Sequence, residues 1–393
     1  MKIGIVIPST PSYSETFFNS KIKGLLLQGY NVQIFVNTIG ANFSLCKVNK
    51  KPKVYKNKIL SVVSFFLVIL SLLPSLKSVF RFYKLEKNEG ASGFEVLKKI
   101  YLNAHILKSR LDWLHFGFAT QAIGSELVAK ALKAKMAVSF RGFDINIYPK
   151  KHPDCYIKLW RNVDKVHSIS HYLLDEAYKI GLKTSVPNQI IVPAVDLELI
   201  NSVLSSNEQE VNKYLSICTI ARLNWIKNIA LAIETIALLA KTYPNLKYEI
   251  IGSGTQKEKE QYLYLVEQLG LSNHVFFHNK MSHIETLNKI NNCDIYLQTS
   301  LNEGFCNAVL EAQALGKLAV ASDVGGLKEN IINNKTGWLV APQNAASFAS
   351  KIKEIYELPM SSKKGVSEAA INRVKEMFTM DIQKQKFIEF YKF

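Results

Sequence analysis

Short apolar runs alternate with stretches of helical period along nearly the whole chain, and they fall into two sets. Lys2–Ile7 is an apolar run that reads as a first buried strand. Ser12-Tyr13-Ser14-Glu15 has the spacing of a capping box and predicts a helix start. Phe17, Ile22, Leu25 and Leu26 then carry an apolar stripe to Gly29, and Asn31–Val36 reads as the next strand. This is a parallel β-α-β opening. From Leu111 the runs Trp113–Phe116, Ala137–Phe140, Val166–Ser170 and Gln189–Val192 continue the first set. The polar stretch Asn201–Asn212 reads as a linker. The second set has strands at Tyr214–Ile220, Tyr248–Ile251, Val275–His278, Ile295–Thr299 and Leu318–Ala321. Helices at Ala230–Ala240, Lys257–Leu269, Ile284–Ile290 and Asn307–Leu315 alternate with them. The fold expected is α/β, with two doubly wound, Rossmann-like domains in 393 residues, the first over 1–205 and the second over 206–375. In such sheets ligands bind beyond the C-terminal ends of the strands, so the two domains are expected to face a central cleft.

Charge separates the two sets. Residues 1–205 hold 28 Lys/Arg against 13 Asp/Glu, whereas residues 206–393 hold 21 against 19. A basic half and a near-neutral half have different partners. No nucleic-acid-binding motif is visible, so the basic half points to an anionic membrane surface or an anionic substrate rather than to nucleic acid. Cys46, Cys155, Cys218, Cys293 and Cys306 lack metal-ligand spacing, and their odd, dispersed set fits a reducing cytosol. The expected location is cytoplasmic, on the inner face of the membrane.

Chemistry concentrates after two strands of the second set. Glu303 follows the strand ending near Thr299, and Glu311 lies eight positions on, just over one turn into the next helix. Gly304 removes a side chain where a ligand could approach. The helix start near Asn307 offers free backbone N–H groups, which suit a diphosphate. Arg222 and Lys227 follow the strand Tyr214–Ile220 and supply positive charge where a leaving nucleoside diphosphate develops negative charge. Gly252-Ser253-Gly254 follows a further strand and is compatible with a phosphate loop or an ordinary tight turn. No Asp-x-Asp occurs, and the histidines lack ligand spacing, so no metal site is expected.

In combination these elements resemble the retaining glycosyltransferase family four. The block Glu303-Gly304-Phe305 through Glu311-Ala312 is similar to that family's signature, and Arg222 with Lys227 to its diphosphate clamp. Ser322–Glu329 and Gly337-Trp338-Leu339-Val340 resemble its later blocks. In the first half, Pro8 with Ser14-Glu15-Thr16-Phe17 looks like the exopolysaccharide and colanic-acid-type branch, and Leu111–Gly117 and Ser139–Asp144 resemble its central blocks. The resemblance implies a GT-B fold whose closing helix, about 376–393, packs back on the first domain. It implies retaining, metal-independent transfer of a hexosyl group from a UDP- or GDP-linked sugar, with no cofactor, to a lipid-linked or saccharide acceptor in surface polysaccharide synthesis. Glu311 would bind the ribose hydroxyls and Glu303 the transferred sugar. Arg222 and Lys227 would hold the diphosphate. Gly304, Phe305, Asn307 and Gly252 would line the donor site, with Phe277–Ser282 near the base. Ser14, His115 and Arg141 fall in the acceptor region. Arg141 stands where the family often has His, and Ala194 where it has Gly. His115 reads either as an acceptor ligand or as a packed or solvated histidine.

One segment stands apart. Six lysines, Lys47, Lys50, Lys51, Lys53, Lys56 and Lys58, precede the 18 uncharged residues Ile59–Leu76. That run is short for a membrane span and contains Pro74, and a single crossing would split one sheet. Ser61, Ser64, Ser71, Ser75 and Ser78 fall roughly on one helical face. Two readings stay open, an interfacial segment and a buried helix. Two other functions also remain: a nucleotide-sugar epimerase of the same fold, and a catalytically inactive scaffold subunit.

Overall fold

The computed structural model describes residues 1–11, 16–40, 43–206, 214–342 and 344–392. Two compact units divide the chain, Met1–Ile191 with Lys384–Phe393, and Val192–Gln383. The division falls ahead of the polar stretch expected to be the linker. Leu197–Ser206 is instead a helix that buries Ile200 and Val203, and 207–213 lie outside the described residues. Its serines turn back on the helix, Ser202 Oγ donating to Leu199 O and Ser205 Oγ to Asn201 O. Such local bonding is why serine-rich helices look like loops.

The first unit holds seven parallel strands: β1 (Lys2–Ser9), β2 (Asn31–Thr38), β3 (Lys47–Lys50), β4 (Trp113–Phe116), β5 (Lys135–Phe140), β6 (Lys165–Ser168) and β7 (Asn188–Ile190). Their order is β3-β2-β1-β4-β5-β6-β7. β4 and β6 are buried at every position, as a parallel sheet covered on both faces requires. The short strand β3 had no signal beyond its lysines. It pairs with β2 at the sheet edge, where Lys47 and Lys50 guard against further strand pairing. The closing helix Met380–Tyr391 puts Phe387, Phe390 and Tyr391 into this unit's core beside Trp113 and Ile191. The unit's share of that helix starts at Lys384.

Ile59–Leu76 is not one helix. Lys58–Leu70 is helical, Leu73–Ser75 is a 3-10 turn containing Pro74, and Leu76–Asn88 is a second helix, with a bend of 52° between the two. Among the described residues no single helix is long and apolar enough to cross a membrane. The buried-helix reading is corrected: Lys58–Leu70 buries none of its residues, and Ile59, Phe66 and Leu67 are 74%, 62% and 63% exposed. Its half-buried side carries Ser61 and Ser64 beside Phe65, Val68 and Ile69. Ser61 Oγ donates to Tyr55 O at 2.7 Å, and Ser64 Oγ bonds Tyr101 Oη at 2.7 Å.

The second unit holds six parallel strands: β8 (Ser216–Ile220), β9 (Lys247–Ile251), β10 (Val275–His278), β11 (Ile295–Gln298), β12 (Leu318–Ser322) and β13 (Trp338–Val340), in the order β10-β9-β8-β11-β12-β13. The order reverses between β8 and β11, which lie side by side. Beyond the C-terminal ends of strands at such a switch point ligands commonly bind.

Candidate active site

Both signature segments leave the sheet at that switch point. After β8 the chain runs through Ala221–Asn224, a 3-10 turn Trp225–Lys227, and Asn228 in the left-handed region at φ 49°. Asparagine tolerates that conformation better than most residues. The end of β11 holds this turn in place. Thr299 Oγ1 donates to Asn228 O at 3.0 Å, and Leu301 N to Ile226 O at 2.8 Å.

The two loops meet at an ion pair between Lys227 Nζ and Glu303 Oε1. The same carboxylate oxygen accepts from Ser300 Oγ at 2.7 Å and Gln298 Nε2 at 3.3 Å. Gln298 and Ser300 are fully buried, and Gln298 accepts from Tyr296 Oη at 2.8 Å. Glu303 is therefore aimed by a polar network on its own strand. Burial opposes charge on Lys227, but the Glu303 carboxylate beside it prevails and holds its pKa above the ordinary lysine value. Arg222 is exposed, and its charge opposes that rise.

Glycines bring backbone into contact here rather than leaving room for a ligand. A Cβ on Gly252 would lie 1.9 Å from Ala221 O, at φ +145°. Gly252 thus packs against the Arg222 loop, a structural use of the residue expected to line the donor site. A Cβ on Gly326 would lie 2.0 Å from Gly304 O, and Gly326 N donates to Glu303 O. The Ser322–Glu329 block thereby clamps the Glu303 loop. The Phe305 ring is buried, 5.9 Å from that of Phe378, so it belongs to the interior. Gly304 is buried, and Asn307 is exposed at the first position of the helix Asn307–Ala314. Asn330 fixes the peptide before it, accepting from Cys306 N at 2.9 Å and donating to Cys306 O at 3.0 Å. The first turn's N–H groups and dipole end make this terminus a fit for an anion beside Lys227 and Arg222.

Glu311 brings a partner that sequence reasoning missed. His283 Nε2 donates to Glu311 Oε1 at 2.8 Å. The only signal was the capping box Ser282-His283-Ile284-Glu285, which starts the helix His283–Asn291. The hydrogen bond to Glu311 is the leading cause that raises the His283 pKa, against burial and with help from Asp196. A raised folded-state pKa makes the pair's contribution complete below the unfolded value and lost as pH rises through the folded one. His283→Gln keeps a donor but cannot titrate. Its destabilisation relative to the parent should be greatest below about pH 6.5 and fade at alkaline pH, as unfolding at a series of pH values would show. A pH-independent difference would contradict the pairing.

The acceptor-region residues separate. His115 is corrected from a candidate ligand to a packed residue. It is fully buried, with Nε2 bonded to Ser139 Oγ at 2.7 Å and Nδ1 facing Lys21 Nζ at 3.1 Å and the Tyr391 hydroxyl. Burial, then the Lys21 charge, hold its pKa well below the ordinary value. Arg141 is half-buried, with its guanidinium 3.7 Å from the Phe17 ring centroid and 4.4 Å from that of Phe18. This stacking anchors the loop after β5. Ser14 and the expected capping box over Ser12–Glu15 lie outside the described residues. Among the described residues no three His, Cys, Asp or Glu side chains are grouped to hold a metal ion.

Residues 204–373 match the family model for glycosyl transferases group 1. EpsD of Bacillus subtilis, assigned as a glycosyltransferase, is 35% identical over 35% of this chain and 35% of its own length. WcaL of Salmonella typhimurium, assigned as a colanic acid biosynthesis glycosyltransferase, is 25% identical over 69% of this chain and 66% of its own. The chain thus spans about a third of EpsD and 66% of WcaL. Over the whole fold, a glycosyltransferase from Rickettsia africae superimposes with a TM-score of 0.71 at 20% identity, covering 100% of this chain and 97% of that one. Anabaena HepE, solved with UDP and glucose, superimposes with a TM-score of 0.73 at 15% identity, covering 99% and 98%. The fold is that of the GT-B glycosyltransferases, built from two Rossmann-like domains. Over residues 204–373 the chain thus resembles the group 1 glycosyl transferases, and the relatives it matches include glycosyltransferases of the exopolysaccharide and colanic-acid type.

Proposed function

We propose that the protein is a retaining glycosyltransferase that moves a hexosyl group from a UDP- or GDP-linked sugar to a lipid-linked or saccharide acceptor. The observation that carries this is the joining of Lys227 and Glu303 at the switch point, next to an exposed Arg222 and the N-terminus of the helix Asn307–Ala314. Lys227 and Arg222 stabilise the diphosphate as negative charge develops on it, and Glu303 orients the transferred sugar. Glu311, held by His283, binds the ribose hydroxyls. The likeness to HepE, solved with UDP-glucose in another crystal, supports a nucleotide-sugar donor. The cations carry the diphosphate charge, so the reaction needs neither metal nor other cofactor. Transfer to a saccharide acceptor should therefore continue in excess EDTA with the anomeric configuration kept, as NMR of the new linkage would report. Activity abolished by EDTA and restored by manganese would refute the metal-free reaction. Conversion of the donor to a second nucleotide sugar without acceptor would make the protein an epimerase.

The first unit serves as the membrane-facing part, on the cytoplasmic face. The helix Lys58–Leu70 turns Ser61, Ser64 and Phe65 to the protein and leaves Ile59, Val62, Phe66, Leu67 and Leu70 outward. Moving such side chains fully out of water is worth roughly 1.5–3 kcal/mol each. Co-sedimentation should show binding to anionic phosphatidylglycerol vesicles that is weaker for Phe66→Ser/Leu67→Ser. Equal binding by that variant would refute the helix as the contact.

A further inference from the structure

At the edge of the first sheet a groove of about 610 Å³ lies between β2, β3 and the turn before β4. Lys2, Lys47, Lys50, Lys108 and Arg110 line it. A second groove, of about 550 Å³, shares Lys108, Ser109 and Arg110 with the first and adds Lys77 and Arg81. Neither lining contains an aspartate or a glutamate. Among the described residues none of the ion pairs takes up Lys2, Lys47, Lys50, Lys108 or Arg110. His105 also faces the first groove. Burial, then the Lys51 and Lys108 charges, push its pKa down to about 3.

The second groove has a different wall on its other side. Leu73, Pro74 and Leu76 line it, and Leu73 and Leu76 are more than half exposed. These residues join the outward-facing apolar helix to the next helix. Cations without carboxylates thus adjoin apolar surface that continues into the Lys58–Leu70 helix. That is the pattern of a phospholipid, whose phosphate is anionic and whose chains are apolar.

We infer that the paired grooves around Lys108–Arg110 are a binding site for the phosphate headgroup of an anionic membrane lipid, with the neighbouring apolar helix entering the acyl layer. This inference rests on the membrane-facing role given to the first unit. It adds a specific headgroup site to general adhesion, at the N-terminal edge of the sheet and away from the strand ends that carry chemistry.

The test uses the full chain and vesicles of phosphatidylcholine with and without phosphatidylglycerol. Lys108→Gln/Arg110→Gln removes two groove charges. Lys150→Gln/Lys151→Gln removes two exposed charges elsewhere in the same unit. The groove variant should bind phosphatidylglycerol vesicles about tenfold more weakly or worse, from the loss of two surface cations, while the control stays near the parent. Equal weakening of both variants, or of neither, overturns the groove site and leaves membrane docking standing. No binding by the parent overturns docking itself. Soluble glycerol phosphate binding as tightly as vesicles overturns the membrane as the phosphate's source.

Discussion

Replacing Lys227 with Met lowers donor turnover by about two to three decades, in line with the removal of one preorganised charge stabiliser from a partly dry site. Lys227 is largely buried and ion-paired with Glu303. Its turn is tied down by Thr299 and Leu301. A charge held in this way needs little reorganisation when the diphosphate leaves, so its removal acts on the chemical step. Arg222→Met should cost a similar factor if both cations meet one developing charge, as proposed, although Arg222 is exposed. Thermal unfolding of Lys227→Met separates loss of chemistry from loss of fold, since Ser300 and Gln298 still donate to Glu303 when the lysine is gone. Turnover within tenfold of the parent in a folded variant would remove Lys227 from the reaction.

The two glutamates should fail differently. Glu311→Ala weakens UDP or GDP binding about ten- to a hundredfold, the effect of losing hydrogen bonds to a charged group. Glu303→Ala lowers turnover with little loss of nucleotide affinity. The structure gives each its own support. Glu311 sits on the helix with His283, while Glu303 sits at the strand end with Lys227, Ser300 and Gln298. Calorimetric titration of the nucleotide with both variants, together with turnover, tests the division. Equal loss of nucleotide affinity in both would contradict it.

The parallel strands were legible because burial on both faces leaves continuous apolar runs, as in Trp113–Phe116 and Ile295–Gln298. β3 was hidden because an edge strand of Lys-Val-Asn-Lys has no such run. The helix Leu197–Ser206 was hidden because its serines bond locally. At the site, the spacing of Glu303, Glu311, Arg222 and Lys227 pointed to the segments that follow β8 and β11, which the fold brings together. It could not show that Gly252 and Gly326 serve backbone contacts, that Phe305 turns inward, or that His283 joins Glu311. Those facts depend on strand order and loop path, which bring residues distant in sequence together at the β8–β11 switch point.

Thermal unfolding of the parent and of Glu311→Ala against a panel of UDP- and GDP-sugars tests the donor site most directly, because a ligand of the native state stabilises it by mass action. At least one nucleotide sugar should raise the unfolding temperature of the parent, and that shift should be largely lost in Glu311→Ala. No shift with any nucleotide sugar, or an equal shift in the variant, would contradict a donor site built on the Glu303–Glu311 segment.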